Sequence, residues 1–170
     1  MLRAMPKSRS PRAPRTPARP SGPAKTPVQL VRDAADGLFR AAVECCHQHD
    51  RVSRVHEKSV SDEELQAAQQ ACEHCDEVLR TLLAAYEQAA AEVHPTGDDE
   101  GWWHNANALW LASREYLRRN QGCDSASKEL KEHGPGRLGT LHTEYELEAS
   151  ALLAMRHAAD AYKQDRPTAA

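Results

Sequence analysis

Aromatic residues are scarce, with one Phe, three Trp and four Tyr among 170 residues. Strands draw on aromatic and β-branched side chains, and Val and Ile are also few while Ala is abundant. That balance excludes a sheet protein and predicts an all-α fold. Long apolar runs are missing as well: no stretch approaches the ~18 residues that a membrane span needs. The first 27 residues lack the apolar core of a secretory signal, and their regularly spaced prolines, with no amphipathic helix, argue against a transit peptide. A soluble, cytoplasmic protein is expected. Five cysteines, an odd number, without a signal point to free thiols in a reducing compartment.

Acidic residues are absent from residues 1–27, which carry Arg3, Lys7, Arg9, Arg12, Arg15, Arg19 and Lys25, while the other 15 bases stand against all 25 acids. Proline removes backbone donors, and so few apolar side chains cannot offset the entropy of ordering. Residues 1–27 are therefore expected to form a disordered basic arm able to meet a polyanion: nucleic acid, an anionic membrane surface, an acidic partner or the acidic body of the same chain. The arm has no aromatic to stack on bases, so any nucleic-acid contact would be electrostatic and non-specific.

Catalytic signatures are missing too. There is no nucleophile elbow, phosphate-binding glycine loop, dinucleotide fingerprint or His-Glu-x-x-His motif. A di-iron bundle needs carboxylates on all four helices and Glu-x-x-His twice, and the chain offers it once, at Glu44 and His47. The expectation leans against an enzyme without excluding one, the enzymatic alternative being a site built on the Trp-rich face and Glu148.

What is present is helical periodicity. Apolar and semi-apolar positions fall at Val31, Ala35, Leu38, Ala42, Cys45, His49, Val52 and His56, in alternating steps of four and three. This is a coiled-coil-like heptad seam on a helix over 28–57, with Thr26 as cap and Pro27 at its first position. A second helix over 61–93 begins at Ser61, with Glu64 completing a capping box, and carries Leu65, Ala68, Cys72, Cys75, Leu79, Leu82, Tyr86, Ala89 and Val93. After the breaker at 94–101, a third helix over 101–121 presents Trp103, Ala106, Trp110, Ser113 and Leu117, widened by Leu109 and Tyr116. Trp103 and Trp110 are expected to fill the core, and Gly122 to stop the helix. A short helix over 124–133 can precede the last long one, 137–164, with Leu138, Leu141, Tyr145, Glu148, Leu152, Met155, Ala159 and Tyr162; residues 166–170 read as a frayed tail. Four helices with short connections predict an antiparallel up-down four-helix bundle over 28–165.

One cluster stands out: residues 43–79 hold four of the five cysteines and four of the nine histidines. A hairpin turning near 57–61 pairs His49 with Ala68, Cys45 with Cys72, Ala42 with Cys75 and Leu38 with Leu79, which places Cys45, Cys72 and Cys75 in adjacent layers. Tetrahedral zinc takes four sulfur or nitrogen ligands, and the histidine expected level with this layer is His142, so Cys45, Cys72, Cys75 and His142 are the candidate ligands for zinc or another soft metal. His49 is set aside, because in this pairing it lies ~10 Å along the axis from Cys75. Cys46 competes as a ligand from off the seam. The alternatives are a redox-sensitive Cys45–Cys72 pair and thiols that simply pack as small hydrophobes, in which case no cofactor is needed. Glu148, the one acid on a seam, requires a partner, expected in His104 or Asn107.

Two functional expectations follow. The first is an interaction or adaptor module with a protein partner or self-association, its arm adding salt-dependent attachment to a polyanion. The second is a metal-binding or thiol-redox bundle centred on Cys45, Cys72 and Cys75.

Overall fold

The computed structural model describes residues 24–58, 61–91, 93, 97 and 100–166. Residues 1–23 of the expected arm and 167–170 of the expected tail lie outside the described residues. Four long helices make an all-α fold: α1 (Pro27–Glu57), α2 (Asp62–Ala90), α3 (Glu100–His133) and α4 (Leu138–Asp165), the last preceded by a 3-10 turn at Pro135–Arg137. Among the described residues no helix is long and apolar enough to cross a membrane.

The helix starts follow from local chemistry. The Thr26 hydroxyl accepts from the Gln29 amide at 3.2 Å while the Gln29 side chain accepts from the Thr26 amide at 2.8 Å, with Pro27 at the first helical position. Two otherwise orphaned donors are thereby satisfied. Ser61 caps α2 by accepting from the Glu64 amide at 3.3 Å, and Asp62, Glu63 and Glu64 lie at the positive end of the helix dipole.

α1 pairs closely with α2 and α3 with α4, and the α1–α4 and α2–α3 faces close the bundle. Side-chain ties between the hairpins fix the antiparallel order: Arg156 donates to Asp50 at 2.7 Å, and the Tyr162 hydroxyl to Asp36 at 2.9 Å. The core combines many alanines with a few large residues, chiefly Leu38, Leu79, Leu109, Met155 and the fully buried Tyr86, Tyr116 and Tyr162. Each of these tyrosines keeps a partner for its hydroxyl: Asn107, Asp76 and Asp36 respectively.

Three expectations are corrected. Gly122 does not end a helix; α3 runs on through it to His133. The stop is Gly134, whose φ of 77° suits glycine and whose amide closes on the Leu130 carbonyl at 2.9 Å, with Pro135 following. At Gly122 the Glu144 side chain of α4 lies over the helix, its carboxylate 2.6 Å from where a Cβ would stand. The expected short helix over 124–133 is thus the end of α3.

Second, the inward face of α3 keeps the expected Ala106, Leu109, Ser113, Tyr116 and Leu117 but takes in Trp102 and Cys123 in place of Trp103 and Trp110. Trp102 is buried, whereas Trp103 and Trp110 are half-buried. Third, Leu138 and Tyr145 do not join the core and are 55% and 50% exposed. Asp50 meets Arg156, so with equal rise on antiparallel helices the end of α1 comes level with roughly residue 149. Both side chains lie beyond that level, with no α1 residue to cover them.

Candidate functional site

The α1–α2 pairing differs from the expected one by a full helical turn. His49 comes level with Cys72 rather than Ala68, and the Cys45 sulfur lies 3.8 Å from an Asp76 carboxylate oxygen. One turn is about 5.4 Å. That shift replaces an all-cysteine layer by a mixed one. Cys72 and Asp76 project from successive turns of α2 toward His49 on α1, and one ligand atom from each lies within 4.8 Å of the other two. No other three such side chains among the described residues converge this closely. The group opens on a cleft of about 460 Å³, with Asn120 and the exposed Glu73 and Asp124 also lining it.

A hydrogen-bonded network from α3 and α4 backs this group. The Tyr116 hydroxyl donates to Asp76 Oδ1 at 2.7 Å and meets His49 Nε2 on its other side. Asn120 uses its amide twice, donating to Asp76 Oδ2 at 3.2 Å and to Glu148 Oε1 at 3.1 Å. The Cys123 thiol completes the chain to Glu148 Oε2 at 3.3 Å.

The electrostatics are those of acids crowded together. Burial raises the Asp76 carboxyl above its ordinary range, against the opposing hydrogen bond from Tyr116. Burial and the neighbouring Asp76 charge push the Cys72 thiol up to about 12 and the Cys45 thiol higher still. The Tyr116 hydroxyl is raised by the same two causes and stays a proton donor. The two thiols and the phenol keep their protons when the layer holds no metal, and a divalent cation would offset the charge that burial makes costly. One nitrogen, one sulfur and one carboxylate oxygen suit a borderline ion such as zinc better than a hard one such as magnesium.

No protein-family model, curated protein or solved structure matches this chain. The site therefore rests on its geometry.

Of the residues singled out from sequence, Cys45 and Cys72 are brought into this layer. Cys75 is half-buried and lines the groove between α1 and α2 with Glu44, His74 and Val78. Burial, and after it Glu44 and Asp76, raise its thiol. His142 does not join them. Its side chain is 76% exposed, with the Glu146 carboxylate 3.3 Å away. The cause is the length of α3: Glu148, six residues on, is what comes level with Asn120 and Cys123, leaving His142 about 9 Å further along the axis. Cys46 faces the other side of α1, beside Arg156. Glu148 finds Asn120 and Cys123 rather than His104 or Asn107; His104 pairs with Glu100, and Asn107 with Tyr86.

Asp76, Tyr116 and Asn120 were missed in the sequence, and His49 was set aside. A signal for Asp76 existed: the step Cys72–Asp76–Leu79 is as good a four-three seam as Cys72–Cys75–Leu79. Polarity argued for the cysteine, whereas the fold uses both phases.

Proposed function

We propose that this protein is a metal-binding helical bundle that holds a divalent transition ion, zinc by preference, through His49, Cys72 and Asp76. The observation that carries the reading is the convergence of three ligand atoms of different chemistry within 4.8 Å in one layer. It is supported by the bonding of Asp76, which is 6% exposed and takes its hydrogen bonds from a hydroxyl, an amide and a thiol, all neutral. A buried carboxylate so placed is costly without a bonded cation, although the Arg80 charge one turn on eases it through space. Three protein ligands facing a cleft leave a coordination position for water or an exogenous donor, unlike the closed four-ligand sites that serve structure alone. Cys45 approaches Asp76 at 3.8 Å but does not join the three atoms that converge, and its thiol serves as a hydrogen-bond donor to that carboxylate.

The test is metal content and cobalt substitution. Protein purified under reducing conditions and freed of metal should take up one equivalent of Co²⁺ with a thiolate-to-cobalt charge-transfer band. Cys72→Ser should abolish the band and Asp76→Asn should weaken binding at least tenfold. A wild-type protein that takes up neither Co²⁺ nor Zn²⁺ would overturn the reading.

The interaction-module reading keeps one specific support in the bundle: Leu138, Tyr145 and Leu153 are large apolar side chains at least half exposed on α4. Together with the bases of residues 1–27 they suit a protein partner and a polyanion. Deleting residues 1–27 should then remove salt-sensitive binding to heparin or DNA, and unchanged binding would exclude a role for the arm.

A further inference from the structure

Tyr116 touches two of the three metal-ligand candidates at once, and its single proton decides how one of them can bind. Its side chain is fully buried between α1 and α2, with the hydroxyl against Asp76 Oδ1 and His49 Nε2. A ligating carboxylate is ionised and can only accept hydrogen bonds. The phenolic proton is therefore committed to Asp76, at 2.7 Å. The hydroxyl oxygen then faces His49 as an acceptor, and the bond between them needs a proton on Nε2. The rings meet edge to face, 89° apart with centroids 5.4 Å apart, which brings the edge of the imidazole to the hydroxyl. A neutral imidazole carries one ring proton. With Nε2 protonated, Nδ1 holds the only free lone pair.

We propose, resting on the metal-binding reading above, that His49 binds the ion through Nδ1 and that Tyr116 is the positioning residue that sets this tautomer. Tyr116 ties two ligands from different helices together: it fixes the ring of His49 on α1 and the carboxylate of Asp76 on α2 with one hydroxyl. Asn120 does the same for the second oxygen of Asp76 and joins it to Glu148 on α4. Outer hydrogen bonds of this kind orient the ligands, the one that His49 donates also raises the basicity of its ring, and their loss typically costs about 10- to 100-fold in metal affinity. The arrangement makes the site a property of the whole bundle, since α3 and α4 supply no ligand yet hold two of the three in place.

The experiment uses the full chain labelled with ¹⁵N-histidine, its ring nitrogens read by long-range proton–nitrogen correlation before and after addition of Zn²⁺. In the metal-free protein His49 is expected as the single Nε2–H tautomer. With Zn²⁺ its Nδ1 resonance should move to a metal-bound position while Nε2 keeps its proton. Tyr116→Phe should lower zinc affinity about 10- to 100-fold and let the His49 tautomers mix, with helicity unchanged. The wild-type spectra test the assignment even if that variant fails to fold. Zinc bound through Nε2, or undiminished affinity in a folded Y116F, would overturn the assignment and leave the metal site standing. Failure of the wild-type protein to take up zinc would instead overturn the metal-binding reading, and the ligand assignment with it.

Discussion

A leucine and a tyrosine at the centre of this bundle do different work, and substitutions should separate them. Leu109 is fully buried in a core that holds many alanines, and a close-packed interior refills a vacated site only in part. Leu109→Ala should destabilise the protein by about 2–5 kcal/mol, read as a lower midpoint in urea with unchanged slope. Tyr162→Phe keeps the ring and removes only the hydroxyl. Asp36, which accepts that hydroxyl's proton, is partly exposed and also holds Arg166 at 3.1 Å, so it is not orphaned. The expected cost is about 1 kcal/mol, and a loss approaching that of the leucine would show that Asp36 depends on Tyr162 for its solvation.

Gly122 shows how an element can be read correctly in part and misread in extent. It sits mid-helix, where Gly costs roughly 1 kcal/mol relative to Ala, and the atom crowding it is the end of the flexible Glu144 side chain, near Arg119. Gly122→Ala should therefore raise stability, by somewhat less than about 1 kcal/mol as Glu144 swings aside. A loss in thermal melting would mean that Glu144 is held in place. Helix existence and helix starts were legible in the sequence because they are local: Thr26, Pro27 and Ser61 act within one turn of themselves. The end of α3 was not, since Gly122 and Gly134 look alike until α4 is packed against one of them. That single ambiguity moved α4 along its partner, and with it His142 out of the layer and Glu148 into it. Seam phase was equally underdetermined. Trp102 and Trp103 differ by about 100° around the helix, and only the position of the neighbouring helices decides which is covered. For the candidate site, the cysteines advertised the layer, but its ligand set depended on a one-turn shift between α1 and α2 that no local pattern encodes.

At the scale of the whole molecule, the proposed metal site would tie stability to metal, and the buried thiols tie it to pH. If zinc binds only the folded state, the melting temperature should rise with free zinc and fall on chelation, by about 2.7 kcal/mol of stability at a hundredfold excess over Kd. The pH dependence of the metal-free protein follows from groups remote from the ligands as well. Cys123 lies against Glu148, and burial followed by that charge lifts its thiol from 9.0 to about 12. Cys46 is raised from 9.0 too, by burial, although Arg156 pulls the other way. A thiol whose pKa is higher in the folded than in the unfolded chain favours folding while it stays protonated. Its contribution is complete below pH 9 and is lost as pH climbs toward the folded value, because the unfolded chain ionises first. Each such thiol adds a slope of up to about 1.4 kcal/mol per pH unit. The thiols thus add no pH dependence to the metal-free protein below about pH 9, and its stability should fall steeply between pH 9 and about 12. Cys123→Ala should make that loss shallower without changing the plateau by more than about 1–2 kcal/mol, the range for a small buried group. Denaturation midpoints measured from pH 7 to 11 check the sign: a Cys123→Ala protein as alkali-sensitive as the wild type would mean that this thiol ionises in the fold as readily as in the unfolded chain.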